Sequence, residues 1–383
     1  MKKILKYTLL SACVLALSIG CSEKIEPMPG DGFTDEVIGL NAGFVATKGL
    51  IESADPDVNA LDDADTRIKV YDYMTAGTPS AEVLYIDNSI KWKDATTAPW
   101  DYVTPATYYW TKTGTHKFFG WLTTAPDGTA FATDPTWTPG TKTLAISNLP
   151  MTPASTQFDF LYSNIVSRTM NNSSSDDHSY VELQFSHLFT ALKVDIKADD
   201  EMDKEVVIKV KSITFSEFKT KKSATISFAG TEVSPVLTNS SDDAKTFIVT
   251  KAVTLQNVAA PAQGETPAVE NEPKTLFDYA LLWPQLPANT TTNTPADITD
   301  DTLITITYTL GSSTTEETVS VQLNTAKLDE THTITQMDAG KKYYLLITMK
   351  RTSDMQFELI VDPLVESYYN GATGTHSDYL IKF

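Results

Sequence analysis

Cysteine is nearly missing from this chain: Cys13 and Cys21 are the only two in 383 residues. That excludes a disulfide framework and the Cys-rich zinc folds as sources of stability. Histidine is almost as scarce, with His116, His178, His187, His332 and His376 at no ligand spacing. No zinc site is expected from them, and His187, inside an apolar run, reads as a packed, hydrogen-bonded core histidine. Positive charge is short as well. Thirty Lys and Arg against 49 Asp and Glu leave a formal net charge of -19, which repels phosphates, so no nucleic acid is expected as a partner. Beyond the N-terminal segment no apolar run approaches the ~20 residues of a membrane-spanning helix. There is no Gly-x-Ser-x-Gly elbow, phosphate loop or dinucleotide fingerprint. The stretch with Asp55, Asp57, Asp62, Asp63 and Asp65 lacks the Gly and the closing Glu of an EF-hand and reads as a solvated loop. No cofactor, metal or catalytic residue is therefore expected. Paired carboxylates of the glycosidase kind meet in space, so the number of acids decides nothing about them.

What is present is the composition of a folded chain, with 41% hydrophobic and 10% aromatic residues. The length exceeds one ordinary β-sandwich and suits two domains, each with its own core. At the N-terminus Lys2, Lys3 and Lys6 precede an uncharged apolar run over residues 7–19 that ends at Gly20-Cys21. The run is too short for a permanent span and leads at once into polar Ser22-Glu23-Lys24-Ile25-Glu26-Pro27, so residues 1–20 read as a signal peptide. Gly20-Cys21 resembles the lipobox of bacterial lipoproteins, although Ser18 stands where that box usually has Leu or Val. The resemblance implies cleavage between Gly20 and Cys21 and acylation of the Cys21 thiol, which holds a protein to a membrane without spanning it. Residues 21–34, rich in Pro, Gly and acid, read as a tether.

From residue 35 onward strand signals dominate. A first apolar run holds Val37, Ile38, Leu40, Phe44 and Val45, a second Ile68, Val70 and Tyr71, and a hairpin-like run spans residues 83–92. Further strands are expected near 106–110, 116–122, 142–147 and 158–163. The polar gap at 165–179 marks the expected boundary between an N-terminal domain, 35–170, and a C-terminal domain, 171–383. Beyond it Ile208 and Val210 oppose Lys209 and Lys211, Ile304, Ile306, Tyr308 and Leu310 alternate with Leu303, Thr305, Thr307 and Thr309, and residues 342–350 alternate likewise. Period two means half-buried strands, so the class is all-β, two β-sandwich domains in tandem. Residues 355–361 read as a last body strand that Pro363 ends.

The order and spacing of several runs resemble the fimbrillin superfamily of the Bacteroidetes type, whose Mfa-like subunits build pili of stacked β-sandwich proteins. The runs are Ile38-Gly39-Leu40-Asn41-Ala42-Gly43-Phe44-Val45-Ala46-Thr47-Lys48-Gly49, Ile68-Lys69-Val70-Tyr71-Asp72, Tyr108-Tyr109-Trp110 and Lys117-Phe118-Phe119-Gly120-Trp121. Phe158-Asp159-Phe160-Leu161-Tyr162-Ser163, residues 185–194, Trp283-Pro284-Gln285 and Ala339-Gly340-Lys341-Lys342-Tyr343-Tyr344 complete the set. The resemblance implies transthyretin-like sandwiches and a precursor anchored in the outer membrane through Cys21. It further implies cutting by a trypsin-like surface protease after a basic residue in the first strand, and completion of the opened groove by a strand of another fimbrial subunit. Lys48, in a Thr-Lys-Gly context, is the first choice for the cut and Arg67 the second; either is otherwise an ordinary surface base. Tyr379, Leu380, Ile381 and Phe383 make a short terminal run that reads as a donor strand or as an edge strand. A role in adhesion and biofilm formation follows, with a host or glycan ligand as a further partner.

The main rival is a carbohydrate-binding surface lipoprotein of the outer membrane. Trp92, Trp100, Tyr102, Tyr108, Tyr109, Trp110 and Trp121 gather in the first half, as in sugar-binding platforms. Alternation puts Tyr108 and Trp110 on one face and Tyr109 on the other, which favours core packing for one face. Trp92 and Trp100, flanking a loop, are the expected exposed pair.

Overall fold

The structure, a computed structural model, describes residues 32–44, 61, 64–76, 81–94, 98–125, 128, 130–131, 135–153, 158–200, 202, 206–239, 246–256, 272–288, 296–326, 333–352 and 357–366. Twenty-two strands and one short 3-10 turn run through these residues, with no α-helix among them. No helix among them is long and apolar enough to cross a membrane. The all-β expectation is met.

A two-stranded ribbon joins β1 (Phe33–Val37) to β6 (Tyr109–Thr111). The largest sheet has eight strands. Its path runs β2 (Leu40–Phe44), β12 (Val181–His187), β10 (Leu161–Ser163), β7 (Thr113–Thr124), β3 (Arg67–Ala76), β4 (Ala81–Asp94), β5 (Ala98–Tyr102), with β11 (Val166–Asn171) also paired to β7. A four-stranded sheet follows the order β16 (Ser234–Asn239), β15 (Lys221–Ser227), β9 (Thr143–Pro150), β8 (Thr136–Thr138). Two more hold β18 (Lys274–Leu282), β13 (Thr190–Ala198), β21 (Lys342–Arg351) and β22 (Phe357–Glu366), and β17 (Thr246–Gln256), β14 (Val207–Ser216), β19 (Leu303–Leu310) and β20 (Glu317–Gln322).

Aromatic packing tells which sheets face each other. Tyr71 of β3 stacks on Trp137 of β8 and Trp121 of β7 packs tilted against it, with ring centroids 4.9 and 5.3 Å apart, and Phe119 lies 4.5 Å from Phe228, just past β15. The eight-stranded sheet therefore packs face to face on the β16-β15-β9-β8 sheet. Its other face is covered by the β1-β6 ribbon, whose Trp110 meets Phe118 of β7 at 5.7 Å. A second apolar cluster lies between the remaining two sheets, with Val194 of β13, Ile347 of β21, Ile306 of β19 and Phe215 of β14 all fully buried.

Alternation sets which face goes inward. Ile304, Ile306 and Tyr308 are buried along β19, and Tyr343, Leu345, Ile347 and Met349 along β21, as period two requires. On β14, Ile208 and Val210 point inward, and then so do Ile213 and Phe215. A bulge between Val210 and Ser212 inserts one residue and switches the phase.

Three local expectations are corrected. The run at 83–92 is no hairpin. It lies inside the single strand β4, because the Asn88 side chain, which favours a turn in isolation, donates from Nδ2 to the Thr104 carbonyl at 2.9 Å and accepts from the Ser89 N–H at 2.8 Å. The polar gap at 165–179 contains β11, and β12 beyond it pairs with β10 and β2 of the first sheet. Its polar residues thus belong to a connection within that sheet, and the two apolar clusters divide inside β13, between Ala191 and Leu192. Pro363 does not end the last strand, since β22 continues through it, paired with Leu345. Among the described residues β22 ends its sheet's strand order, a place where a proline's missing N–H is tolerated.

The Trp283-Pro284-Gln285 turn fastens neighbouring elements. Trp283 Nε1 donates to the Leu149 carbonyl at 2.6 Å, and the Gln285 amide bonds both the N–H and the carbonyl of Lys219, at 3.1 and 3.0 Å. Fully buried Lys222 donates to the Pro284 carbonyl at 2.5 Å and pairs with buried Asp297.

Candidate functional site

The amino-terminal segment from Phe33 to Phe44 combines a terminal place in the described strand order with core side chains. β1 pairs antiparallel with β6, and the Ile38 N–H and the Lys112 N–H close this ribbon onto the Tyr108 and Gly32 carbonyls, both at 2.8 Å. The chain then crosses at Gly39, and β2 pairs parallel with β12, Leu40 opposite Val181, Ala42 opposite Leu183 and Phe44 opposite Phe185. Among the described residues β2 ends the strand order, with β12 as its paired neighbour. Ile38 and Leu40 are 1% and 2% exposed and Ala42 not at all. Burying the two larger side chains is worth roughly 3–6 kcal/mol, and each ladder bond adds about 1 kcal/mol. The segment is therefore held by several kilocalories.

Gly39 is needed where the chain crosses. A Cβ there would lie 2.4 Å from two ring carbons of Tyr180, which rests on bare backbone, while the Val181 N–H donates to the Gly39 carbonyl at 2.9 Å. β12, between β2 and β10, alternates strictly. Val181, Leu183, Phe185 and His187 face inward and Glu182, Gln184 and Ser186 outward, which fixes the register of any strand laid beside it. At its end His187 Nδ1 bonds buried Asp159 at 2.8 Å, so the expectation of a hydrogen-bonded core histidine is met.

Polar groups lie under and beside the ribbon. His116 Nδ1 contacts Asp72 Oδ2 at 2.6 Å, and His116 Nε2 lies 2.9 Å from Thr111 Oγ1 and accepts from the Thr111 N–H at 3.4 Å. Burial pushes the Asp72 carboxyl above the usual carboxylate range, while the His116 contact and the Lys117 N–H pull it back. Carboxylate, imidazole and hydroxyl stand in the order of a proton relay, but Asp72 and His116 have no exposed surface and Thr111 only 3%. No substrate carbonyl reaches the hydroxyl; the chain of bonds ties β3, β7 and β6 together. On the outside, Glu36 of β1 meets His178 in the connection before β12, Oε2 to Nδ1 at 2.5 Å.

Of the residues singled out in the sequence, Gly20, Cys21, Lys48, Tyr379, Leu380, Ile381 and Phe383 lie outside the described residues. Arg67 opens β3, its guanidinium bonded to the Ala64 and Thr66 carbonyls at 2.5 and 2.8 Å. The following residue, Ile68, is fully buried and paired with both β4 and β7. Trp100 corrects the expected exposed pair. It is 5% exposed and edge-on to half-buried Trp92 at 5.8 Å, because β4 and β5 form a hairpin that lays both rings against the core. Tyr108, Trp110 and Trp121 are likewise buried, so these tryptophans form no open sugar-binding platform. The sequence did not point to β12 as the strand beside the first run, nor to His178 and Tyr180. Alternation from Val181 to His187 signals a strand, but which neighbour it takes is a long-range fact.

Comparison with solved structures finds the same fold in a fimbrial protein from Bacteroides vulgatus, 14% identical, covering 88% of this chain and 100% of that one, with a TM-score of 0.51. A candidate cell adhesion protein from Bacteroides uniformis is 15% identical and covers 89% of this chain and 100% of its own, with a TM-score of 0.43. A candidate polysaccharide-binding protein from Bacteroides thetaiotaomicron is 9% identical and covers 88% and 99%, with a TM-score of 0.37. Comparison with curated protein sequences finds no match. Residues 58–363 match the family described as fimbrillin-like, and with most of its length matched the chain belongs to that family.

Proposed function

We propose that this chain is a subunit of a cell-surface fimbria that supports adhesion and biofilm formation and assembles by replacement of its first strands. One observation carries the reading: among the described residues the segment from Phe33 to Phe44 ends in the last strand of its sheet and fills the core with Ile38, Leu40 and Ala42. Its departure leaves β12 with unpaired N–H and C=O groups beside an uncovered apolar groove, and a strand of a neighbouring subunit satisfies both at once. Membership of the fimbrillin-like family and the fimbrial protein from Bacteroides vulgatus support the same reading.

In this account the precursor is held in the outer membrane through lipid on Cys21, with a tether that leads into β1 at Phe33 rather than at residue 35, and a trypsin-like protease cuts after Lys48, beyond β2. Lys48 is favoured over Arg67 because the Arg67–Ile68 bond lies at the start of a strand paired on both sides, with Ile68 fully buried, where a protease finds no accessible chain. The body is read as two transthyretin-like sandwiches, one around each apolar cluster. Tyr379, Leu380, Ile381 and Phe383 are the candidate donor strand for a further subunit. Mass spectrometry of the protein recovered from the cell surface tests the maturation step. A new N-terminus at Gly49 is expected, and Cys21 as the sole N-terminus overturns it.

A further inference from the structure

The contact between Glu36 and His178 joins a residue that leaves to one that stays. Glu36 sits on β1, in the segment replaced on the reading above, and His178 in the connection that leads into β12. The imidazole is well fixed. Its ring lies against the fully buried ring of Trp110, centroids 5.9 Å apart and planes tilted by 30°, and its Nε2 is shut away from solvent without a hydrogen-bond partner. The ring's hydrogen bond therefore goes from Nδ1 to the Glu36 carboxylate. Neighbouring acids are bonded elsewhere. Asp176 accepts from the Asn171 and Ser173 N–H groups, at 2.9 and 3.1 Å, and Asp177 pairs with Arg168 at 3.3 Å and accepts from the Ser179 N–H at 3.0 Å.

When β1 departs, His178 loses its acceptor while Trp110 still holds the ring in place. An incoming strand that brings no carboxylate leaves that donor unpaired at the groove mouth, with a cost its competitors avoid. We infer that His178 selects the strand that refills the groove, reading a carboxylate two residues ahead of the first side chain that enters the core. The partner it fits is an extended strand of another fimbrial subunit with the pattern acid-x-apolar-x-apolar-x-small, which Glu36, Ile38, Leu40 and Ala42 fulfil in the uncut chain. This rests on the strand-replacement reading and adds to it a rule for which strands are accepted.

The test is exchange of fluorescent synthetic peptides into protein cut after Lys48, followed by anisotropy. One peptide has the sequence of residues 33–44, and the others carry Glu36→Gln or Glu36→Asp. The Gln peptide is expected to bind about fivefold more weakly than the parent, the worth of a partly exposed charged hydrogen bond, and the Asp peptide to recover part of the loss. In His178→Gln protein the difference between peptides vanishes. Equal binding of Glu and Gln peptides to the unsubstituted protein overturns the role of His178 and leaves strand replacement standing. Binding of no peptide at all defeats both.

Discussion

Leu40→Ala is the substitution that most sharply separates a detachable segment from an ordinary part of the core. Leu40 is 2% exposed and faces the groove beside Val181. In a rigid core, Leu→Ala costs about 2–5 kcal/mol. β2 is the last strand in the described order of its sheet, so on the strand-replacement reading that loss falls on local opening of the segment before it reaches the whole fold. At the lower end, about 2 kcal/mol raises the open population about thirtyfold. The upper end is capped by the free energy that docks the segment, since beyond it the segment simply stays off. Native-state hydrogen exchange read by mass spectrometry follows this directly. Amides of β12 that bond β2 are expected to exchange about thirtyfold faster or more, while those of β21, in the second cluster, keep their protection. Unchanged β12 protection refutes the reasoning, and so does equal acceleration of β12 and β21, which means that the segment opens only with the whole molecule.

Two other substitutions check the architecture. At Gly120 a Cβ would lie 2.5 Å from the Lys69 carbonyl oxygen on the paired strand, so Gly120→Ala is expected to cost about 1–3 kcal/mol or more in urea unfolding. Gly140→Ala, with nothing within 4 Å, stays within about 0.5 kcal/mol of the parent. Asp72→Asn probes the buried pair with His116. Since burial raises the Asp72 pKa above its ordinary 3.8, the folded state binds that proton more tightly than the unfolded chain does. Stability from this group is full below the ordinary value and falls as pH rises through the raised one. Unfolding measured across acidic pH should show the parent losing stability relative to Asp72→Asn as pH rises, and a parallel pair of curves contradicts the assignment.

Much of the fold was legible because period two needs only local information. The inward sets on β19 and β21 follow from alternation alone, and so does the first half of β14. Expectations failed where a distant partner overrode a local signal. Asp87-Asn88 promises a turn, yet Thr104 supplies bonds that hold Asn88 within β4; Pro363 promises a strand end, yet β22, last in its described sheet order, continues through it. The 165–179 gap looked like a linker because Asn, Ser and Asp are loop residues, and composition does not say that β12 returns to the first sheet. At the candidate site, the apolar run with Ile38 and Leu40 was visible in the sequence. Its parallel pairing with β12, from more than a hundred residues away, and the pairing of Glu36 with His178 were not.

A reversible lock between β2 and β12 addresses the central claim. Asn41 and Glu182 are facing Cα partners on the outward side of the pair, within the reach of a disulfide, in a chain whose other cysteines are Cys13 and Cys21. The double variant Asn41→Cys with Glu182→Cys, oxidised and then cut after Lys48, is expected to keep its first strands and remain monomeric, and to form SDS-resistant oligomers once a reductant opens the bond. Oligomers that form equally in the oxidised and reduced protein contradict replacement of the first strands as the route of assembly.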